Sequence, residues 1–146
     1  MAKKSNAPRL NFVQLAGAII ILVIAESSLI IAGVLPPMAS YSAGNLIFTF
    51  LRLAIFAYAG ALALDGGLAK AARNGAILGF ASSFLISLST LAAKALLGIS
   101  VLGISVPNPG YLYLVLAITV VGNSLLGALI AVIAFFIAKK FLVCHR

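Results

Sequence analysis

Four long apolar runs, separated by short breaks, constrain this chain more than any other feature. A helix that crosses the ~30 Å hydrocarbon core of a bilayer needs about 20 apolar residues, and each run is long enough. The breaks contain Pro36-Pro37, Asp65-Gly66-Gly67 and Pro107-Asn108-Pro109-Gly110, which are typical of turns and helix ends. We therefore predict an all-α integral membrane protein, a four-transmembrane-helix bundle with short loops, forming a single membrane domain over residues 1–146. The predicted helices cover approximately residues 12–35, 43–65, 75–100 and 111–140.

The composition supports this fold class. Charged residues make up 8% of the chain, against about 25% in a typical soluble domain. There is too little polar surface to cover a globule in water. The net charge is +8, but the basic residues cluster at the ends of the apolar runs, without interleaved aromatic residues. This pattern favours membrane topology over nucleic-acid binding, so no nucleic-acid partner is expected.

The end of the third helix is open in the sequence. After the third apolar run comes a tandem repeat, LGISV at 97–101 and again at 102–106. A helix from 75 to 106 would be ~48 Å long, well beyond the bilayer core. We expect the helix to end near residues 98–103 and the remainder to form an apolar interfacial connection. Continuation of the helix through 99–106 is the alternative.

Basic residues lie on one side of the predicted bundle. The two connections on the other side, 36–43 and 99–110, carry no charge. The positive-inside rule places basic loops in the cytoplasm. We therefore predict a multi-pass protein of the cell membrane with both termini cytoplasmic, N-in/C-in. The basic residues that carry this prediction are Lys3, Lys4, Arg9, Lys70, Arg73, Lys139, Lys140 and Arg146.

Small residues recur at four-residue spacing in the third and fourth helices. In lipid, this small-xxx-small pattern lets two helix backbones approach closely. We expect these faces to pack against other helices, either within the bundle or between copies of the chain. The residues are Gly75, Gly79 and Ser83 in the third helix and Gly127 and Ala131 in the fourth.

Glu26 and Arg52 are charged residues inside the first and second apolar runs. Because the two helices are antiparallel neighbours, both residues lie ~12–15 Å below the same membrane face and are able to pair. An ionisable side chain at mid-membrane costs roughly 2.5–3.5 kcal/mol on insertion scales, so it marks a candidate functional site. Lys94 lies near a helix end and can instead extend to the interface. The predicted intramembrane polar cluster is Glu26, Asn45, Thr49, Arg52, Ser87, Thr90, Lys94 and Asn123.

The charged pair has two interpretations. In the first, Glu26 and Arg52 form a buried ion pair that fixes helix register or docks a partner. In the second, Glu26 binds a cation or a proton and Arg52 binds a substrate anion, and the two exchange partners during transport.

The sequence contains no candidate catalytic site. Its single histidine is His145, and its acidic residues are Glu26 and Asp65. Without a carboxylate pair, a nucleophile–base constellation or a glycine-rich phosphate loop, we expect no enzyme, no catalytic residue and no cofactor. The single cysteine, Cys144, excludes an internal disulfide, and no metal site is expected.

Two short segments resemble transport families. Ala25-Glu26, followed by Ser27 and Ser28, resembles the first helix of small multidrug resistance transporters, in which a glutamate binds protons and cationic drugs. That family lines its site with aromatic residues that include tryptophan. This chain has no tryptophan, and Arg52 would repel a cationic drug. The segment GNSLLG at 122–127 is similar to a helix of fluoride channels, whose other motifs are missing here. Each segment is under a tenth of the chain, so neither assigns a family.

The expected function follows from the packing faces and the scarcity of chemistry. We expect a small structural or accessory subunit of a larger membrane complex, or a homo-oligomer, with Glu26–Arg52 as a buried ion pair. The alternative is a small channel or transporter for an ion or small solute that uses Glu26, Arg52 and Asn123. The expected partners are the lipid bilayer and other membrane subunits or copies of the chain.

Overall fold

The structure, a computed structural model, describes residues 11–104 and 108–144. Over these residues it is all-helical, which confirms that part of the predicted fold class. Four helices are long enough and apolar enough to cross a membrane. The α-helices are α1 Phe12–Ile31, α2 Ala43–Ala61, α3 Gly67–Leu97 and α4 Pro109–Cys144, with 3-10 turns at Met38–Ser40 and Leu64–Gly66.

The helices run up and down in chain order, with α2 and α3 at the centre of the bundle. These two helices contact each other, and each contacts both α1 and α4. The outer helices α1 and α4 scarcely touch and lie on opposite sides of the central pair. We call the end formed by residues 32–42 and 98–104 the uncharged end. The opposite end, with Lys70, Arg73, Lys139 and Lys140, is the basic end.

Helix boundaries differ from the sequence expectation by four residues or more at the ends of α1, α2 and α4 and at the start of α3. α1 starts with a capping box between Asn11 and Gln14 and stops at Ile31, rather than near residue 35. α3 starts at Gly67 rather than near residue 75, so the charged segment 68–74 is helical. Gly67 has φ +76°, a conformation that favours glycine, and this sharp turn lets α3 begin directly after α2. Hydropathy marks the apolar part of a helix and misses a polar first turn.

The end of α3 lies close to the expected position. α3 ends at Leu97, where Gly98 adopts φ +70° and its N–H donates to the Lys94 carbonyl. The residues that follow are not helical up to 104, and 105–107 of the second repeat lie outside the described residues. This connection pairs with the one before α2: Met38 N–H donates to the Val101 carbonyl at 3.0 Å, and Ala39 N–H to the Leu102 carbonyl at 3.1 Å.

Between α1, α2 and α3 the core contains large apolar side chains. Along the buried face of α3 most side chains are small or carry a hydroxyl group. α3 has the most buried face, which carries alanines, glycines and hydroxyl residues beside Leu78 and Ile86. The largest group of contacting buried residues is Leu15, Ile19, Val23, Phe56, Ala59, Leu78 and Ile86.

Small residues line the contact of α4 with α3 and α2. A Cβ added to Gly75 would collide with the Gly127 carbonyl, and one added to Gly79 would collide with the Asn123 carbonyl. A Cβ on Gly60 of α2 would collide with the Ala131 carbonyl. The backbones therefore approach closely at these points. Ser83, which the sequence grouped with these glycines, is fully buried and donates its hydroxyl to the Gly79 carbonyl at 2.7 Å.

Candidate functional site

Glu26 of α1 and Arg52 of α2 form an ion pair inside the bundle. Arg52 Nη1 lies 3.2 Å from Glu26 Oε2, and the two side chains are 12% and 1% exposed. Within the described residues, neither carboxylate oxygen of Glu26 accepts a hydrogen bond of regular geometry. Buried carboxylates usually accept several such bonds. Among the residues that the structure describes, Glu26 is therefore held by the charge of Arg52, and no donor contacts Oε1.

Arg52 is also tied to its own helix. Its Nη2 donates to Thr49 Oγ1 at 3.3 Å, one turn earlier. Thr49 in turn donates its hydroxyl to the Asn45 carbonyl at 3.0 Å. The guanidinium thus bridges α1 and α2, and its orientation is set by the preceding turn of α2.

A cavity of about 190 Å³ lies on the other side of Arg52, between α2, α3 and α4. The connections of the uncharged end also contribute to its wall through Met38 and Leu102. Glu26 is not part of the wall. The polar residues of the lining are Thr49, Arg52, Ser82, Thr119 and Asn123, and the apolar ones are Met38, Leu53, Phe56, Ile86, Leu102 and Leu126.

The polar groups of the cavity differ in what they can offer a ligand. Thr119 donates its hydroxyl to the Val115 carbonyl at 2.8 Å, as Thr49 does to Asn45, so both present lone pairs only. The side chains of Ser82 and Asn123 make no hydrogen bond with the described part of the protein. Together with Arg52 they supply the free N–H and O–H donors of the cavity.

The remaining residues of the predicted cluster lie apart from the cavity. Asn45 donates through Nδ2 to the Pro36 and Pro37 carbonyls at 3.0 and 3.1 Å, so it anchors the connection before α2. Thr90 is fully buried and donates to the Ile86 carbonyl at 2.8 Å. Ser87 is buried, with a hydroxyl that lacks a partner among the described residues.

Lys94 does not belong to the cluster. Its side chain is exposed on α3 near the uncharged end, which corrects its placement among the cluster residues. The physical reason is its position in the last turn of α3, from which a long side chain reaches the surface.

Sequence reasoning missed Ser82 as a cavity residue. Ser82 precedes Ser83, which faces inward against α3's own backbone, while Ser82 points between α2 and α4. The available signal was its position four residues before Ile86, which also lines the cavity. A helix in contact with three others has an interior face wide enough to bury two successive residues.

Two further pockets lie at the basic end. One of about 290 Å³ is lined by the start of α1 and by Asp65, Lys70 and Asn74, and one of about 490 Å³ lies between the ends of α2 and α4. Asp65 is exposed. Across residues 11–104 and 108–144, Glu26–Arg52 is the only ion pair, and no group of three metal-ligating side chains is present.

The chain has no detectable relative in the three comparisons: no protein-family model, no curated protein and no solved structure gives a significant match.

Proposed function

We propose that this chain is an integral membrane protein with both termini in the cytoplasm. Large apolar side chains cover the outer faces of the helices, as on helices in contact with lipid, while Glu26 and Asn45 are buried inside. The described lysines and arginines other than Arg52 and Lys94 lie at the basic end, which supports the cytoplasmic orientation of that end. Lys3, Lys4, Arg9 and Arg146, which add to this argument in the sequence, lie outside the described residues.

Within the membrane, the best-supported function is a small channel or transporter for an ion or small solute. The observation that carries it is the cavity beside Arg52, whose polar residues come from three helices. Lipid does not solvate such groups, so polar residues inside a membrane bundle mark ion or substrate pathways. In this proposal Arg52 couples Glu26 to the cavity, because it pairs with Glu26 and lines the cavity.

The packing of small residues also favours this function over a purely structural one. Gly75 and Gly79 of α3 pack against the backbone of α4 near Gly127, and we call this contact the seam. Gly60 of α2 packs against Ala131 of α4. These residues are therefore not available to a partner subunit. The small-residue faces, which supported an assembly function in the sequence, are accounted for by the fold of one chain.

A second candidate is a structural or accessory subunit, or a homo-oligomer. The observation that favours it is the exposure of α4. Only 17% of its most apolar 18-residue stretch is buried, less than in the other three helices. A partner helix, or lipid, would cover this face. The two candidates separate on gentle extraction of the tagged protein followed by native mass measurement. Stoichiometric unrelated chains would establish the subunit function and displace transport as the leading proposal.

Transport is tested by flux into proteoliposomes that contain the purified full-length chain. We expect a flux of one class of small ion or solute that is absent from empty vesicles and from vesicles with the Glu26→Gln/Arg52→Gln double variant. The matched control is Lys94→Gln, which removes a charge from the exposed surface of α3 and should retain wild-type flux. Equal flux in the double variant and the wild type would contradict transport through this pair.

A further inference from the structure

We infer that the cavity beside Arg52 binds a small monovalent anion, and that Glu26 takes up a proton when the anion binds. This deepens the proposed function, on which it rests, by naming the substrate class and the coupling ion. Three observations carry it: the donors of the cavity wall, the charge balance of the ion pair, and the cavity volume.

The cavity wall is suited to an anion. Arg52 brings the only charge to the lining, and Ser82 and Asn123 bring side-chain donors without partners among the described residues. The carboxylate of Glu26 is not in the wall, whereas Arg52, which pairs with it, is. A cation in the cavity would meet the guanidinium directly. Hydrogen bonds from charged donors to anions are among the strongest in proteins.

Anion binding at Arg52 requires uptake of a proton to keep the site neutral. The pair of Glu26 and Arg52 is neutral as a unit, so an anion that approaches Arg52 adds a net negative charge next to a carboxylate that is 1% exposed. Like charges at such a site are costly in a low dielectric. One proton on Glu26 restores neutrality: H⁺ and the anion enter together, the carboxylate becomes a carboxylic acid, and Arg52 pairs with the anion. No donor of the described residues contacts Oε1 of Glu26, which can therefore receive that proton.

No other described group competes for this proton. Arg52 is the charged residue that contacts Glu26 from α2. The buried face of α3 contributes Ser87 and Thr90, neither of which titrates, and Lys94 is exposed. α4 scarcely touches α1 and brings the uncharged Thr119 and Asn123 to the cavity. Proton uptake is therefore assigned to Glu26.

The cavity volume limits the ligand. With a share of ~30 Å³ per water molecule in the liquid, a cavity of about 190 Å³ holds roughly six waters. Chloride, nitrate or formate fits with a few waters of hydration. Gluconate is much larger and would take up most of the cavity volume, so we expect it to bind more weakly than these anions and to serve as the counter-ion.

The test is calorimetric titration of the purified full-length chain in detergent with chloride, nitrate and formate, with gluconate holding the ionic strength constant. Titration in two buffers of different ionisation enthalpy counts the protons taken up. We expect at least one of the three anions to bind saturably with about one proton per anion. Its affinity should rise as pH falls, because the protonated form of Glu26 is the anion-binding form.

Three variants make the inference falsifiable. Glu26→Gln should bind the anion without proton uptake and with an affinity that no longer depends on pH. Asn123→Leu leaves the ion pair untouched and should weaken binding about tenfold, as expected for one hydrogen bond to a charged group. Lys94→Gln should match the wild type. Absence of saturable binding, or wild-type proton uptake in Glu26→Gln, would overturn the inference.

The outcomes also separate this inference from the proposed function. Flux of a cation or a neutral solute without anion binding would leave transport standing and refute the anion site. Saturable, proton-linked anion binding without any flux would establish the site and refute transport.

Discussion

Arg52 contacts both Glu26 and the cavity, whereas Glu26 does not line the cavity. The Arg52 guanidinium contacts the Glu26 carboxylate, and its side chain also lines the cavity between α2, α3 and α4. Glu26 is almost fully buried and accepts no hydrogen bond from the residues that the structure describes. Removing Arg52 leaves a buried carboxylate without a partner, whereas removing the Glu26 charge leaves a guanidinium that still faces a cavity able to hold water.

The two single substitutions should therefore have unequal costs. We expect Arg52→Gln to lower the free energy of unfolding by about 3–5 kcal/mol, the range for breaking a buried ion pair, and Glu26→Gln to lower it by less. The double variant should be more stable than Arg52→Gln, because it leaves no unpaired charge. Reversible unfolding in mixed detergent micelles, arranged as a double-mutant cycle, measures these differences. Additive effects of the two substitutions would show that the pair is not coupled.

The sequence was informative about this pair and less so about its surroundings. Two charges at a similar depth in neighbouring antiparallel helices have few other partners, and in the structure Glu26 and Arg52 lie 3.2 Å apart. Ser82 was not predicted, because a serine is tolerated on several faces of a membrane helix and its direction depends on how α2 and α4 pack. The separation of Glu26 from the cavity wall likewise depends on the side-chain path of Arg52.

At the scale of elements, α3 and α4 form the closest contact of the bundle through glycines that leave no space for a side chain. Close approach of backbones replaces the hydrophobic driving force that is absent between helices in lipid. Ser124 adds a hydrogen bond between the helices, from its hydroxyl to the Ala76 carbonyl at 3.0 Å. This seam also sets the distance between the two walls of the cavity, because Asn123 lies directly against Gly79.

Gly75→Ala and Gly122→Ala form a matched pair that tests this seam. A Cβ on Gly75 would collide with the Gly127 carbonyl, while a Cβ on Gly122, on the exposed side of α4, meets nothing within 4 Å. We expect Gly75→Ala to destabilise the protein by about 1–3 kcal/mol through overpacking. Gly122→Ala should be neutral or slightly stabilising, because alanine favours the helix. Unfolding in mixed micelles compares the two, and equal stability would contradict the close packing.

Asn45 connects helix α2 to the preceding loop. Its side chain donates to both the Pro36 and Pro37 carbonyls and holds the segment that pairs with Val101 and Leu102. We expect Asn45→Ala to loosen this segment by about 1 kcal/mol per lost hydrogen bond. Hydrogen exchange of the Met38 and Ala39 amides should accelerate severalfold. Asn108→Ala, whose side-chain bond to Gly110 N–H is local, is the control and should leave these amides protected.

The helix ends show where sequence pattern stops being informative. Hydropathy located all four helices, yet α3 begins eight residues before its apolar run at Gly75. Segment 68–74 contains Lys70 and Arg73 and therefore reads as a loop, but its alanines favour a helix and Gly67 supplies the turn. At α1, the chain leaves the helix at Ile31 although apolar residues continue to Leu35. Apolar content indicates whether a segment lies in an apolar environment, whereas the ends of a helix depend on local turns.

At the scale of the whole molecule, polarity is reversed relative to a soluble bundle. Glu26, Asn45 and Thr90 are buried. Many large apolar side chains on the outside are at least half exposed, among them Phe50, Phe80 and Leu125. Lys70, Arg73, Lys139 and Lys140 lie at one end and the paired connections at the other. This distribution is the physical basis for the proposed orientation, since the end without charges is the one that crosses the membrane during insertion.

Single cysteines at the two ends test the orientation in intact cells. After Cys144→Ser removes the native thiol, Ala39→Cys places a thiol at the uncharged end, and Lys70→Cys places one at the basic end; both native side chains are exposed. A membrane-impermeant maleimide should label Ala39→Cys in intact cells, and Lys70→Cys only after permeabilisation, because positive-inside topology holds the basic end in the cytoplasm. The reverse pattern would invert the bundle and place the uncharged end, whose Met38 and Leu102 line the cavity, on the cytoplasmic side.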